Sequence, residues 1–283
     1  MTPGITLVVL IAAVTHASWN ALAHSITDKV IAFTLVCGGG AACGLLLVCY
    51  APIPAGPAWP YLIASIATHL LYFALLIQSF RLGDFSQMYP IARGTAPLVV
   101  TVLAVLLLGE HLSRWQIAGV ALVSGGLSCL ALWGMRGRSR RVDRLALAAA
   151  LGTGLSISTY TVVDGVGVRA AGTAAGYTGW LLLLQGVAVP AFAFVSRRGA
   201  LTAQLRPMVL RGALGGLLSA FAYGLVLWAQ SRADLAPISA LRESSIVIGA
   251  VIGAVFFKER FGRARMLSAA VIVAGIALML HSG

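Results

Sequence analysis

Charge is what this sequence has least of. Only 10% of its 283 residues are charged and 8 are acidic, against 59% hydrophobic residues and a mean hydropathy of +0.94. An ordinary soluble domain carries about 25% charged residues, so a water-soluble globular fold is excluded. Uncharged apolar runs of about 18 residues or more read as membrane spans, and the bilayer is the solvent. Cysteine is scarce too: Cys37, Cys43, Cys49 and Cys129 all lie inside apolar runs. A buried free cysteine behaves as a small hydrophobe, so neither disulfide nor metal is implied. The sequence has no Gly-x-x-x-x-Gly-Lys-Ser/Thr loop, so the chain does not hydrolyse nucleotide itself. It has no paired carboxylates, no His/Glu metal spacing and no Gly-x-Ser-x-Gly element, which argues against an intramembrane enzyme. No cofactor is expected. No basic residue precedes the first apolar run and no clear cleavage site follows it, so that run reads as a first span rather than a removable signal peptide.

What the chain has instead is a repetition. Moving the stretch around 93–126 forward by 149 positions places Arg93 on Arg242, Val102 on Val251, Glu110 on Glu259, Arg114 on Arg263, Ala121 on Ala270 and Gly126 on Gly275. Two unrelated apolar segments would match leucines and valines, but would rarely superpose two arginines and a glutamate without a gap. The repeat implies an internal duplication.

Apolar runs and their Gly/Pro or polar breaks place ten spans near 4–23, 30–50, 59–80, 85–108, 115–134, 144–164, 173–196, 207–230, 237–257 and 264–281. All are expected to be helices, because a helix satisfies its own backbone in lipid. The fold class expected is therefore an all-α membrane protein of ten transmembrane helices in two five-helix repeats, 1–134 and 144–283, joined by a cytoplasmic linker at 135–143. With this segmentation Lys29, Arg81, Arg136, Arg138, Arg140, Arg141, Arg144, Arg197, Arg198, Arg206, Arg211, Lys258, Arg260, Arg263 and Arg265 share one side, which is 15 of the 20 basic residues. The other side holds Arg114, Arg169 and Arg232. Positive residues stay in the cytoplasm, so both termini and the 109–114 turn are expected outside, in a bacterial inner membrane. The net charge of +12 is thus used for orientation, and nucleic acid is not a partner. Five spans is an odd number, so the second repeat enters the membrane inverted. Inverted repeats characterise transporters, whose site lies near the midplane between the copies.

At these residues the chain resembles the EamA-type drug/metabolite transporters. The pattern is Pro97 in the fourth span, an apolar run into Gly109-Glu110, then Gln116, Gly119 and Gly126 in the fifth, echoed by Glu259 and Gly275; His16-Ala-Ser-Trp-Asn20 in the first span is also similar. The second repeat departs from it, with Ile246 in place of proline and Lys258 in place of glycine. The resemblance covers essentially the whole chain. It implies export of small metabolites, amino acids or drugs, and the chain is similar to the aromatic amino-acid exporters among the members. The expected partners are the lipid bilayer and an amphipathic, carboxylate-bearing small molecule, with a monomer as the simplest assembly. A multidrug or cationic-compound exporter of the same fold is the alternative.

Candidate substrate-binding residues follow from polarity inside spans. Arg93 lies about eight residues into its helix, roughly 12 Å deep, and Arg242 lies at similar depth from the opposite face. Such an arginine costs on the order of 3 kcal/mol or more in lipid and needs a partner or a wet cavity. It meets either a substrate carboxylate through bidentate bonds or a structural partner such as Glu243, which sits well inside its own span. Position 94, which matches Glu243, is Gly94, so the first repeat has no acid to offset Arg93; this makes Arg93 the expected carboxylate site. His16 and Asn20 share a helix face beside Trp19. His69, Tyr72, Ser156, Tyr160 and Tyr223 complete the expected set, with Tyr177, Trp180 and Trp228 as further aromatic groups of a mixed pocket. The pathway is expected between spans 1, 3, 4, 6, 8 and 9, with the glycine-rich fifth and tenth spans peripheral. Gly40/Gly44, Gly212/Gly216 and Gly249/Gly253 are expected at close helix contacts. Pro90 and Pro97 are expected to break the helix around Arg93. Glu110 and Glu259 read as helix-end residues.

Overall fold

The computed structural model of the chain describes residues 1–83, 85–135, 143–197, 201–256 and 262–281. They form α1 (Pro3–His24), α2 (Lys29–Tyr50), α3 (Trp59–Leu82), α4 (Phe85–Leu108), α5 (Arg114–Met135), α6 (Arg144–Ala170), α7 (Ala174–Arg197), a short α8 (Leu201–Leu205), α9 (Val209–Gln230), α10 (Leu235–Arg242), α11 (Ser244–Phe256) and α12 (Arg263–His281). Nine described segments are long and apolar enough to cross a membrane, and Met266–His281 is a shorter apolar helix. The outer surface is what lipid requires: Leu106, Leu107, Phe194, Val195 and Leu210 are all exposed.

Polar residues at the turns set the helix starts. Asp28 caps α2 by accepting from the N–H groups of Val30 and Ile31, and Asp143 does the same for Leu145 of α6. Before α5, Ser113 and Gln116 bond each other's backbone N–H at 3.2 and 2.8 Å, a capping box. Gly109 turns the chain with φ 67, a left-handed conformation that favours glycine, and so delivers Glu110.

The packing has a two-fold logic. α2 pairs with α7 and α5 with α12, each helix with its own repeat counterpart, while α1 packs on α9 as α6 packs on α3. In the α5/α12 seam a side-chain carbon on Gly119 would lie 2.6 Å from the Gly275 carbonyl oxygen, and one on Gly275 would lie 2.8 Å from that of Gly119. Only glycine permits that backbone approach.

Several expectations change. α6 runs to Ala170 rather than ending near 164, because Asp164 is satisfied inside the bundle and does not end the helix. α4 is one continuous helix despite Pro90 and Pro97. The break lies in the ninth span, where Glu243 separates α10 from α11; its N–H bonds Ala240 O and its own carbonyl accepts from Ile246, two tight i, i+3 bonds that locally overwind the chain. Gly44, Gly212 and Gly216 sit at close contacts, but a side-chain carbon on Gly40 or Gly249 would meet nothing within 4 Å. Cys49 and Cys129 are exposed rather than buried, and all four cysteines are free. Glu259, Lys258 and residues 136–142 of the expected linker lie outside the described residues.

Candidate functional site

A central cavity opens between the two repeats. Its empty space is about 950 Å³, open mouth included. Six elements of the expected pathway contribute: α1 (His16, Trp19), α3 (His69, Tyr72), α4 (Arg93), α6 (Tyr160), α9 (Ser219, Tyr223) and α10 (Arg242). α2 and α7 line it as well, through Phe33, Cys37 and Gly40 and through Gln185 and Gly186, which the polarity argument missed. α2 offers only apolar and small residues to the wall, so polarity could not reveal it; Gln185, a long polar side chain in an apolar run, could have pointed to α7. No described residue of α5 or α12 lines the cavity.

Three expected residues do not line it. Asn20 donates to the His16 carbonyl of its own helix at 2.9 Å, Ser156 is buried in the packing of α6, and Glu243 is taken up by an ion pair. That pair alters the reading of the arginines. Arg93 Nε donates to Glu243 Oε2 at 3.0 Å, with side chains only 7% and 4% exposed, and Arg93 Nη2 donates to Ser245 Oγ at 3.3 Å. The acid that the first repeat lacks is thus supplied by the second, across the interface between them. Arg93 touches the cavity with its charge already met. Arg242 is different. It lines the cavity with Tyr160, and has no carboxylate within ion-pair distance among the described residues.

The remaining walls are aromatic. His69 stacks on Tyr160 with centroids 3.9 Å apart and planes 21° apart, and Tyr72 meets Tyr160 edge-on at 5.9 Å. Trp19 Nε1 donates to His16 Nδ1 at 3.3 Å; indole is only a donor, so the neutral His16 ring carries its proton on Nε2. No acidic side chain lines the cavity among the described residues. Tyr177 and Trp180 lie elsewhere: Tyr177 is fully buried on Asp164, and Trp180 packs on Trp59. Trp228 lies under the Arg232 guanidinium.

One end of the bundle is tied by Glu110. Its carboxylate accepts from the N–H groups of Leu235 and Ala236 at 2.7 and 3.3 Å, capping α10. Arg169 adds a contact at 3.9 Å and donates to the carbonyls of Gln230 and Ala233. Burial pushes the Glu110 carboxyl up, against those two N–H groups. The helix-end reading therefore holds for Glu110.

Apolar helices around a central cavity of mixed polar and aromatic lining form a carrier-like architecture, and comparison with known proteins decides which. The EamA-like transporter family matches residues 3–132 and 144–281. The chain belongs to that family. It is therefore a multi-pass membrane transporter of small molecules, built as two repeats of five helices. A solved crystal structure of a protein 18% identical to this transporter superposes with a TM-score of 0.72, covering 98% of this chain and 96% of its own. At that identity the likeness concerns the fold alone. Comparison with curated proteins gives no match.

Proposed function

We propose that this transporter exports small amphipathic carboxylates, neutral and aromatic amino acids among them, across the bacterial inner membrane by alternating access. One observation carries the reading: the cavity wall offers Arg242, without an acidic partner among the described residues, beside aromatic side chains. A guanidinium so placed receives a planar carboxylate through paired, charge-assisted bonds. Tyr160, Tyr72 and Trp19 suit the apolar body. A cationic drug would instead meet two arginines and no described acid, which disfavours the alternative exporter. The role first expected of Arg93 passes to Arg242.

Purified protein in liposomes tests this. Saturable counterflow of labelled phenylalanine is expected, and uptake of a lipophilic cation with none of phenylalanine would overturn the substrate class. Product formation would mean an enzyme, and unsaturable flux a channel. The orientation, with both termini and residues 109–114 outside, rests on the charge bias. Single cysteines at His111 and Ser25, in a background lacking the native four, should label with an impermeant reagent from outside and only after permeabilisation, respectively. The reverse pattern would invert the topology.

A further inference from the structure

Behind one wall of the cavity lies a polar cluster that the substrate reading does not use. Asp164 is 0% exposed and does not line the cavity. Its Oδ1 accepts from Tyr177 Oη at 3.0 Å, and its Oδ2 accepts from Tyr223 Oη. Tyr223 Oη stands 3.4 Å from His69 Nε2, and both Tyr223 and His69 line the cavity. A connected path thus runs from the cavity to a buried acid through one hydroxyl. It has no counterpart in α1, which packs on α9 as α6 packs on α3 but contains no Asp or Glu.

Counting hydrogens shows what this path holds. His69 Nδ1 lies 2.9 Å from the Ser65 carbonyl oxygen and 3.2 Å from Ser65 Oγ. The hydroxyl can donate or accept but the carbonyl only accepts, so a hydrogen on Nδ1 meets both contacts and leaves Nε2 of the neutral ring an acceptor, whereas the other tautomer turns the Nδ1 lone pair on that carbonyl. Tyr223 has one hydroxyl hydrogen, and it cannot serve Asp164 and His69 together. With a carboxylate and a neutral ring, one buried acceptor is left facing lone pairs, which is costly away from water. A single added proton resolves the conflict in either of two ways. Imidazolium donates to Tyr223, which donates to Asp164; or protonated Asp164 donates to Tyr223, which donates to Nε2. We propose that Asp164, Tyr223 and His69 form a binding site for one proton, open to the cavity, and that transport is proton-linked through it.

The groups facing the site are Ser65 and His69 of α3, Tyr160 of α6, Tyr177 of α7, Tyr223 of α9 and Arg242 of α10. From α4, Arg93 reaches Tyr160, and its charge is met by Glu243. Arg242 is therefore the cation that repels a proton here. A carboxylate docked on Arg242 offsets that repulsion, so anion and proton promote each other's binding, as linkage requires. This coupling rests on the Arg242 reading above; the proton site does not. Anion and proton then travel together, and net flux follows the sum of their gradients, so export runs only while the outward metabolite gradient exceeds the inward proton gradient.

Difference proton titration of the detergent-purified protein, without any substrate, tests the site. Between about pH 5 and 9, the range into which buried groups are shifted, the wild type should bind about one proton more than Asp164→Asn. Equal counts would overturn the site. Tyr223→Phe keeps the ring and removes the bridge, so its uptake midpoint should move by about one pH unit or more; an unmoved midpoint would also overturn it, even if Asp164→Asn fails to fold. In liposomes, an acid exterior should drive phenylalanine accumulation by the wild type and not by Asp164→Asn. Wild-type uptake indifferent to the gradient would overturn the linkage. If phenylalanine is not carried at all, the substrate reading fails while the titration still decides the proton site.

Discussion

Arg93 in α4 meets Glu243 and Ser245 in the packing between the repeats, whereas Arg242, 149 residues later, ends α10 and lines the cavity beside Tyr160. The neighbouring residue makes the difference. At position 94, a side-chain carbon on Gly94 would lie 3.0 Å from Leu127 Cβ, so α5 leaves no room for an acid there. At the matching place Glu243 occupies an overwound turn and reaches Arg93. The repeat holds two equivalent arginines, and a single asymmetric pairing ties one to Glu243 and leaves the other on the cavity wall.

Breaking the pair is the largest effect to expect. Glu243→Gln leaves a buried guanidinium uncompensated, a loss of about 3–5 kcal/mol, and should abolish monodisperse protein in detergent. Replacing Arg93 and Glu243 together by methionine should recover most of the thermal stability, because no lone charge remains. A well-folded Glu243→Gln that had lost only transport would reverse the roles given to the two arginines.

Arg242 should behave in the opposite way. Arg242→Ala should purify as a stable protein and lose phenylalanine counterflow by at least about tenfold, the equivalent of one charged hydrogen bond of about 1.5–3 kcal/mol. Arg242→Lys should recover little, since it keeps the charge and loses the planar fork. Unchanged KM and rate in Arg242→Ala would remove the carboxylate contact from this arginine.

Much of this architecture was legible in the sequence. Most helix boundaries, the peripheral fifth helix and Glu110 as a helix-end residue follow from patterns within a few residues of each other, and the repeat follows from one shift of 149 positions. The Arg93–Glu243 pair was not, because it joins residues 150 apart across an interface that no local pattern specifies; it was one of several possible partners. The sixth span is expected to end near 164 because an acid in an apolar run looks like the run's end, whereas in the structure the hydroxyls of Tyr177 and Tyr223 meet the Asp164 carboxylate and the helix continues to Ala170. Ser156 and Asn20 show the converse: polar residues in spans often bond their own helix or bury among neighbours, so polarity marks candidates without placing them.

The cap made by Glu110 should come next in size. Glu110→Ala strips the acceptors from Leu235 and Ala236, and losing such a cap costs about 0.5–2 kcal/mol. Thermal unfolding in detergent should show a lower midpoint without loss of expression. A variant as stable as the wild type would mean that Arg169 and its carbonyl contacts hold the α9–α10 turn alone.

The smallest effect belongs to an ion pair of the same chemistry outside the membrane. Arg197 Nη2 lies 2.9 Å from Asp28 Oδ2, but these side chains are 32% and 41% exposed, so water and salt screen them and about 0–1 kcal/mol is expected. Slight burial of Asp28 works against its ionisation, yet the Ile31 N–H, Arg197 and the Val30 N–H outweigh it and hold the carboxyl below its usual range. The folded state thus prefers the ionised form more than the unfolded chain does. The stabilisation is fully present above the ordinary carboxylate value of about 3.9, and it is lost as pH falls through the lower folded value. Asp28→Asn keeps a good helix cap and removes only the charge. Its midpoint should lie slightly below that of the wild type at pH 7, by less as salt rises, and should meet it once pH falls below the lowered folded value. A gap that survives in acid, or one as large as that of Glu243→Gln, would mean that burial does not separate the two pairs.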